Sequence, residues 1–455
     1  MPFDFELAII GAGPAGISAA AAAHRAEPNA RIALLEAHRA GGPRLWSGSV
    51  AIGALARSAR AFELIKRSEE FGIHSEKPRV VWTAVRMRIA AVRDEVRERD
   101  RAAIHSSGAT LIPGRARFLD PHTLEITGAK EPRTLRAAKF ILATGRAPLK
   151  LHLDGLEETG FLTPESLIDR PNMPHSLVFL GYGPATCELA QAFRHFGASV
   201  TVITPTPALV PNEEPVLIAA LERYLRNEGI AIHLNARATR VRSGESGKIV
   251  DFTDNEDHSQ EAKGTEVVVV PEAAPDLGEL ALESAGVTLE NGRPAVDQYL
   301  RTLSSHIWAA GSVLGRRGTG SYQGAIAGHN AFAEQPREAH ADLLPHVIHT
   351  DPALARIGPT EHEAQEAGET VSAHAAQFNQ QEKALIEGDD FGFARLLTNR
   401  DGVIIGAQAV CPGASELVAP CATWVGGGMK LAELAELPVS RPSLADAWVR
   451  AAEPG

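Results

Sequence analysis

Short apolar runs alternate with glycine turns and helix-length segments along the chain. Leu7 to Ile10 is unbroken apolar sequence, the pattern of a strand covered on both faces. It runs into Gly11-Ala12-Gly13-Pro14-Ala15-Gly16, then into the alanine-rich segment Ile17 to His24, which alanine's strong helix preference predicts as a helix. A second strand is predicted over Arg31 to Glu36. The same order returns about 170 residues later: Ser176 to Leu180, Gly181-Tyr182-Gly183-Pro184-Ala185-Thr186, Cys187 to Phe196 and Ser199 to Thr204. Two strand-helix-strand units of this kind predict an α/β protein with two Rossmann-like dinucleotide-binding domains.

The first unit is complete. Gly11 permits the tight turn, Gly13 lets the backbone approach a pyrophosphate, and Gly16 allows close helix-strand packing. Pro14 and Ala15 open the helix whose positive end would face the phosphates. Glu36, about 20 residues on at the end of the second strand, is placed to accept hydrogen bonds from a ribose. The alternative is a glycine turn kept only for packing. In the second unit Gly181 and Gly183 remain, but Thr186 replaces the third glycine and Thr204 stands where the ribose-binding acid is wanted. Thr204 could contact a ribose or a 2′-phosphate, yet Pro205-Thr206-Pro207 brings no arginine to neutralise that phosphate. This unit is either a nicotinamide dinucleotide site or an idle scaffold.

A length of 455 residues suits about three or four modules. The chain is 44% hydrophobic and 22% charged, and no apolar run approaches the roughly 18–20 residues of a membrane span. A formal charge of -11 argues against a nucleic-acid partner. Met1 leads within a few residues into the first strand without a signal-peptide pattern, so the expected compartment is the cytoplasm. Cys187, Cys411 and Cys421 are too few and too scattered for a disulfide framework or zinc site, and read as buried thiols. The 17 histidines are scattered likewise, and no metal is expected.

The two units, joined through Ile141-Leu142-Ala143-Thr144-Gly145, resemble the pyridine nucleotide-disulfide oxidoreductases, the group of dihydrolipoamide dehydrogenase, mercuric reductase and soluble transhydrogenase. The resemblance extends along the whole chain: Thr302 to Gly315 is similar to the family's second FAD motif, with Gly311 and Ser312 at its end. His346 to Pro352, Gly392 to Leu397 and Gly406-Ala407-Gln408 are similar to its dimerisation domain. The resemblance implies FAD in the first domain, NAD(P)H in the second, an α+β C-terminal domain and a homodimer. It implies segments 1–148 (FAD-binding), 149–271 (NAD(P)-binding-like), 272–344 (central, completing the FAD site) and 345–455 (dimerisation). Thr144 and Gly145 then belong to the cofactor site. Ser312 stands where relatives bind the ribityl and pyrophosphate region with an aspartate, a change FAD binding should survive.

The family's redox-active cysteine pair is missing. The resemblance places it directly after Gly41-Gly42, where this chain carries Arg44 and Ser49. Neither a guanidinium nor a hydroxyl can take two electrons as a thiol pair does. The lysine that follows in relatives corresponds to Gly53, which leaves its glutamate, Glu188, without the inferred partner. The catalytic histidine and its glutamate correspond to Arg441 and Asp446; arginine stays protonated and cannot act as a base near neutrality. Val270-Pro271-Glu272 stands where a second Ala-Thr-Gly is expected. Arg44 and Arg441 either line an anion pocket across the dimer, or Arg441 pairs with Asp446 while Arg44 faces solvent. The expected activity is electron transfer from NAD(P)H through FAD to a non-disulfide small molecule; a flavin-containing binding or electron-carrier subunit is the alternative.

Overall fold

The computed structural model describes residues 2–128, 132–315 and 318–453. The chain packs into two units, both discontinuous in sequence: Met1–Ala51 with Ala90–Leu149 and Glu272–His340, and Ile52–Ile89 with Lys150–Pro271 and Ala341–Gly455.

The first unit is built on a seven-stranded sheet. Phe5–Ile10 lies parallel between Ile32–Glu36 and Arg133–Leu142, with Ile10 opposite both Leu35 and Leu142. Leu7 and Ile9 point into one apolar layer, Ala8 and Ile10 into another, and all four are buried. That is why the strand reads as continuous apolar sequence. The last strand, Ile307–Ala309, pairs with the end of Arg133–Leu142. The helix after the first glycine turn runs Pro14–Ala26, three residues earlier than the alanine run suggests, because proline suits the first helical position. It packs against the helix Gly320–Asn330 so closely that a Cβ on Gly324 would lie 2.0 Å from the Ala15 carbonyl oxygen.

The second unit holds a four-stranded parallel sheet in the order Ala231–His233, Ser199–Ile203, Ser176–Gly181, Glu266–Val270. A three-stranded antiparallel sheet, Arg237–Gly244, Gly247–Thr253 and Ser259–Gly264, follows the same unit. Residues 341–455 add a five-stranded antiparallel sheet whose centre, Ala353–Ile357, Ile404–Cys411 and Phe393–Thr398, is covered by the helix Asp446–Ala452. Trp448 on that helix is 1% exposed and donates its indole N–H to the Leu417 carbonyl. Buried carboxylates tie the start of the helix Pro215–Asn227 to this sheet: Glu213 pairs with Arg356, and Glu214 with Arg395 and Gln408.

Candidate functional site

The first glycine turn forms a cradle at the carboxyl ends of the parallel strands, where such sheets bind ligands. Gly11 has φ +110°, and a Cβ there would lie 2.3 Å from the Ala143 carbonyl oxygen; on Gly16 it would lie 1.8 Å from that of Gly11. Side chains are excluded at both positions. Gly13 differs, because a Cβ there would meet nothing within 4 Å. Packing therefore does not demand this glycine, and open space fronts the helix it precedes. The helix Pro14–Ala26 has no side-chain cap and no acid in its first turn, which leaves its positive end to an anion. Gly42 closes one side of the cradle, where its Cβ position lies 3.3 Å from Gly13 Cα.

Three polar groups complete the arrangement. Glu36 accepts the Ala12 N–H at 2.9 Å and the His38 N–H at 2.8 Å, which fixes a carboxylate that retains lone pairs for ribose hydroxyls. Thr144 Oγ1 is buried and has no hydrogen-bond partner among the described residues, as expected of a group that a ligand satisfies. Ser312 Oγ faces Gly145, 3.6 Å from that residue's Cβ position. Gly311 has φ +86° and sits against Ala15, so the Ser312 turn approaches the start of the first helix. These residues fit a dinucleotide with its pyrophosphate at Gly13, one ribose at Glu36 and its other half toward Thr144 and Ser312.

The turn after Gly41-Gly42 is braced. Arg44 pairs with Asp100 on the long helix Trp82–Ser106 and donates Nε to the Gly41 carbonyl at 3.3 Å. The guanidinium is thus paired and mostly buried rather than solvent-facing, which corrects that expectation for Arg44. The guanidinium groups of Arg39 and Arg93 lie over the Trp46 ring, 4.6 and 5.6 Å from its centroid, and the Trp46 carbonyl accepts from Arg93 at 3.0 Å. Ser49 is exposed at the start of the helix Ser49–Lys66.

In the second unit Gly181 and Gly183 have φ +144° and +95°, and the following helix Pro184–His195 has no side-chain cap. Thr186 and Thr204 are fully buried. The Thr204 hydroxyl lies 2.7 Å from Thr206 Oγ1, which donates to the Ala208 carbonyl, so Thr204 is turned inward rather than toward a ribose. The β-strand ends one residue earlier than the sequence suggests, at Ile203. Glu188 is not without a partner: its Oε1 accepts the His349 N–H at 2.8 Å. Asp446 accepts from Arg441 Nε and Arg450 Nε, both at 2.7 Å. Burial raises the Asp446 pKa, but the two guanidinium groups outweigh it and hold the carboxyl below its ordinary range. Arg441 itself remains half exposed.

All three cysteines are free and buried. Burial pushes their thiols up, Cys421 to about 12, and so away from the reactive thiolate. Among the described residues no three His, Cys, Asp or Glu side chains cluster to hold a metal, and no helix is long and apolar enough to cross a membrane. Sequence reasoning missed Gly320, Gly324 and Gly328, although their four-residue spacing is a signal of close helix packing. It also missed Asp100, for which the sequence carries no signal.

Residues 5–331 match the pyridine nucleotide-disulphide oxidoreductase family, and residues 344–452 match the dimerisation domain of the same family. The chain belongs to this family; it is an FAD-dependent oxidoreductase, and a homodimer fits its C-terminal domain. It is 28% identical over 455 residues to the dihydrolipoyl dehydrogenase of Geobacillus stearothermophilus, spanning 99% of this chain and 96% of that one. It is 29% identical over 441 residues to the mercuric reductase of Streptomyces lividans, spanning 95% and 92%. Among solved structures, LpdA from Mycobacterium tuberculosis superposes with a TM-score of 0.87 at 25% identity over 98% of both chains. The HOCl-induced flavoprotein disulfide reductase RclA from Escherichia coli shares the fold, with a TM-score of 0.82 at 22% identity over 98% of both.

Proposed function

We propose that this chain passes electrons from NADH or NADPH through FAD directly to a small molecule that is not a disulfide, such as a quinone-like compound, a nicotinamide or an oxidised anion. The observation that carries the proposal is the turn after Gly41-Gly42. Arg44 is committed to Asp100, Ser49 carries a hydroxyl, and the only thiols are buried elsewhere. Disulfide exchange needs a thiolate at the site. FAD, when bound, accepts and donates the electron pair itself. The protein's part is to hold and orient. Gly13 and the helix it precedes receive the pyrophosphate, Glu36 takes the ribose hydroxyls, and Thr144 and Ser312 offer hydroxyls to the other half. In this reading Glu188 is a positioning carboxylate of the second unit, fixed by the His349 N–H. Arg441, aligned by Asp446 and half exposed, offers its guanidinium to an anionic acceptor. The segments 1–148, 149–271, 272–344 and 345–455 serve as the FAD-binding, NAD(P)-binding-like, central and dimerisation domains.

A second reading, a flavin-containing electron carrier that does not use nicotinamide, is favoured by the inward-turned Thr204. Anaerobic titration of the holoprotein with NADH and then NADPH, followed by addition of quinones, lipoamide or mercuric ion, separates the two. The expected result is bleaching of the visible flavin band by one nicotinamide and reoxidation by a quinone but not by lipoamide. No bleaching with either donor would favour the carrier; fast reoxidation by lipoamide would overturn the non-disulfide acceptor.

A further inference from the structure

Arg146, directly after the Thr144-Gly145 pair, holds together three segments that meet beside the cradle. It opens the strand Arg146–Pro148, which pairs antiparallel with Ala273–Pro275 so that Arg146 stands opposite Pro275. Its guanidinium donates to the Ala273 carbonyl and, through Nη1, to the Gly315 carbonyl at 3.1 Å. Gly315 closes the turn that begins at Gly311: its N–H donates to the Ser312 carbonyl at 2.9 Å and that of Leu314 to the Gly311 carbonyl at 3.0 Å. On the other side, the Asp276 N–H donates to the Gly145 carbonyl at 3.1 Å. The Ser312 hydroxyl is therefore held against Gly145 from both ends, with Arg146 as the link that spans the gap.

This arrangement answers the question raised by Ser312. A serine gives the cofactor one neutral hydrogen-bonding group, weaker than a charge-assisted contact. Its value depends on how firmly the turn that carries it is placed. We infer that Arg146 is a positioning residue for FAD, clamping the Gly311–Gly315 turn so that Ser312 and Thr144 present their hydroxyls to the flavin-bearing half of the cofactor. The inference rests on the FAD assignment of the cradle and is independent of the electron acceptor.

The test uses the holoprotein and two variants, Arg146→Met, which keeps the stem and removes both donors, and Arg146→Lys, which retains one. The measurements are the rate of FAD release on dilution, read from flavin fluorescence, the visible circular dichroism of the bound flavin, and the far-ultraviolet melting midpoint with excess FAD. Arg146→Met is expected to release FAD about 10-fold faster or more, the equivalent of losing one such hydrogen bond, and to alter the visible dichroism. Arg146→Lys is expected to fall between it and the parent, with little change in melting for either. Release rates equal to the parent's, or a loss of FAD that only tracks a fall in melting midpoint, would overturn the role.

Discussion

Arg44 shows what one residue does to a loop. A guanidinium placed in a tight turn, with only 28% of its side chain exposed, must find a carboxylate, and Asp100 supplies it at 12% exposure. The pair also fixes Gly41, where a Cβ would lie 2.8 Å from Asp100 Oδ2 and 2.4 Å from a Leu45 methyl. Arg44→Met leaves the Asp100 carboxylate buried alone and should cost about 1.5–3 kcal/mol of unfolding free energy in urea. Adding Asp100→Leu should recover much of that loss, because removing both charges removes the desolvation penalty as well. A single variant as stable as the parent would mean that the turn does not depend on this pair.

Helix pairing sets the shape of the cradle at the next scale up. Pro14–Ala26 and Gly320–Asn330 touch backbone to backbone through Gly324 and Gly328, whose Cβ positions lie 2.0 and 2.1 Å from the carbonyl oxygens of Ala15 and Ala19. Gly324→Ala must push the helices apart. The expected effect is a loss of about 1–3 kcal/mol from overpacking, together with lower FAD content in the purified protein; full FAD content at parental stability would contradict the close approach. The first strand-helix-strand unit was legible because its signals sit close together in sequence: Gly11, Gly13 and Gly16 fall within six residues between a strand and a helix, and Glu36 follows at a fixed interval. The role of Gly324 was hidden because its partner, Ala15, lies in a remote part of the chain. Thr204 was misplaced for another reason. Whether its hydroxyl faces a ligand or the chain depends on the turn through Thr206 and Ala208, and composition does not set that geometry. Arg44 was recognised as a departure, but its ion pair depends on which face of a distant helix turns toward it.

For the molecule as a whole, the thiols give a direct check on the chemistry. With Cys187, Cys411 and Cys421 all buried and pushed up in pKa, the folded protein should consume no thiol reagent near pH 8, while unfolding in guanidinium should release three equivalents. Reduction of the flavin by a nicotinamide should leave both results unchanged. New thiols after reduction would reveal a redox-active disulfide and contradict the proposed electron path. The sheet of the first unit carries a consequence for synthesis as well. Phe140 has no neighbour on one side until Ile307 arrives, and Ala15 meets Gly324 only when the later helix is made. Pairings of such long sequence separation form late and slowly. On a growing chain the cradle stays incomplete until residues beyond Gly328 have emerged. FAD, which stabilises only the form that binds it, therefore selects finished chains over incomplete ones.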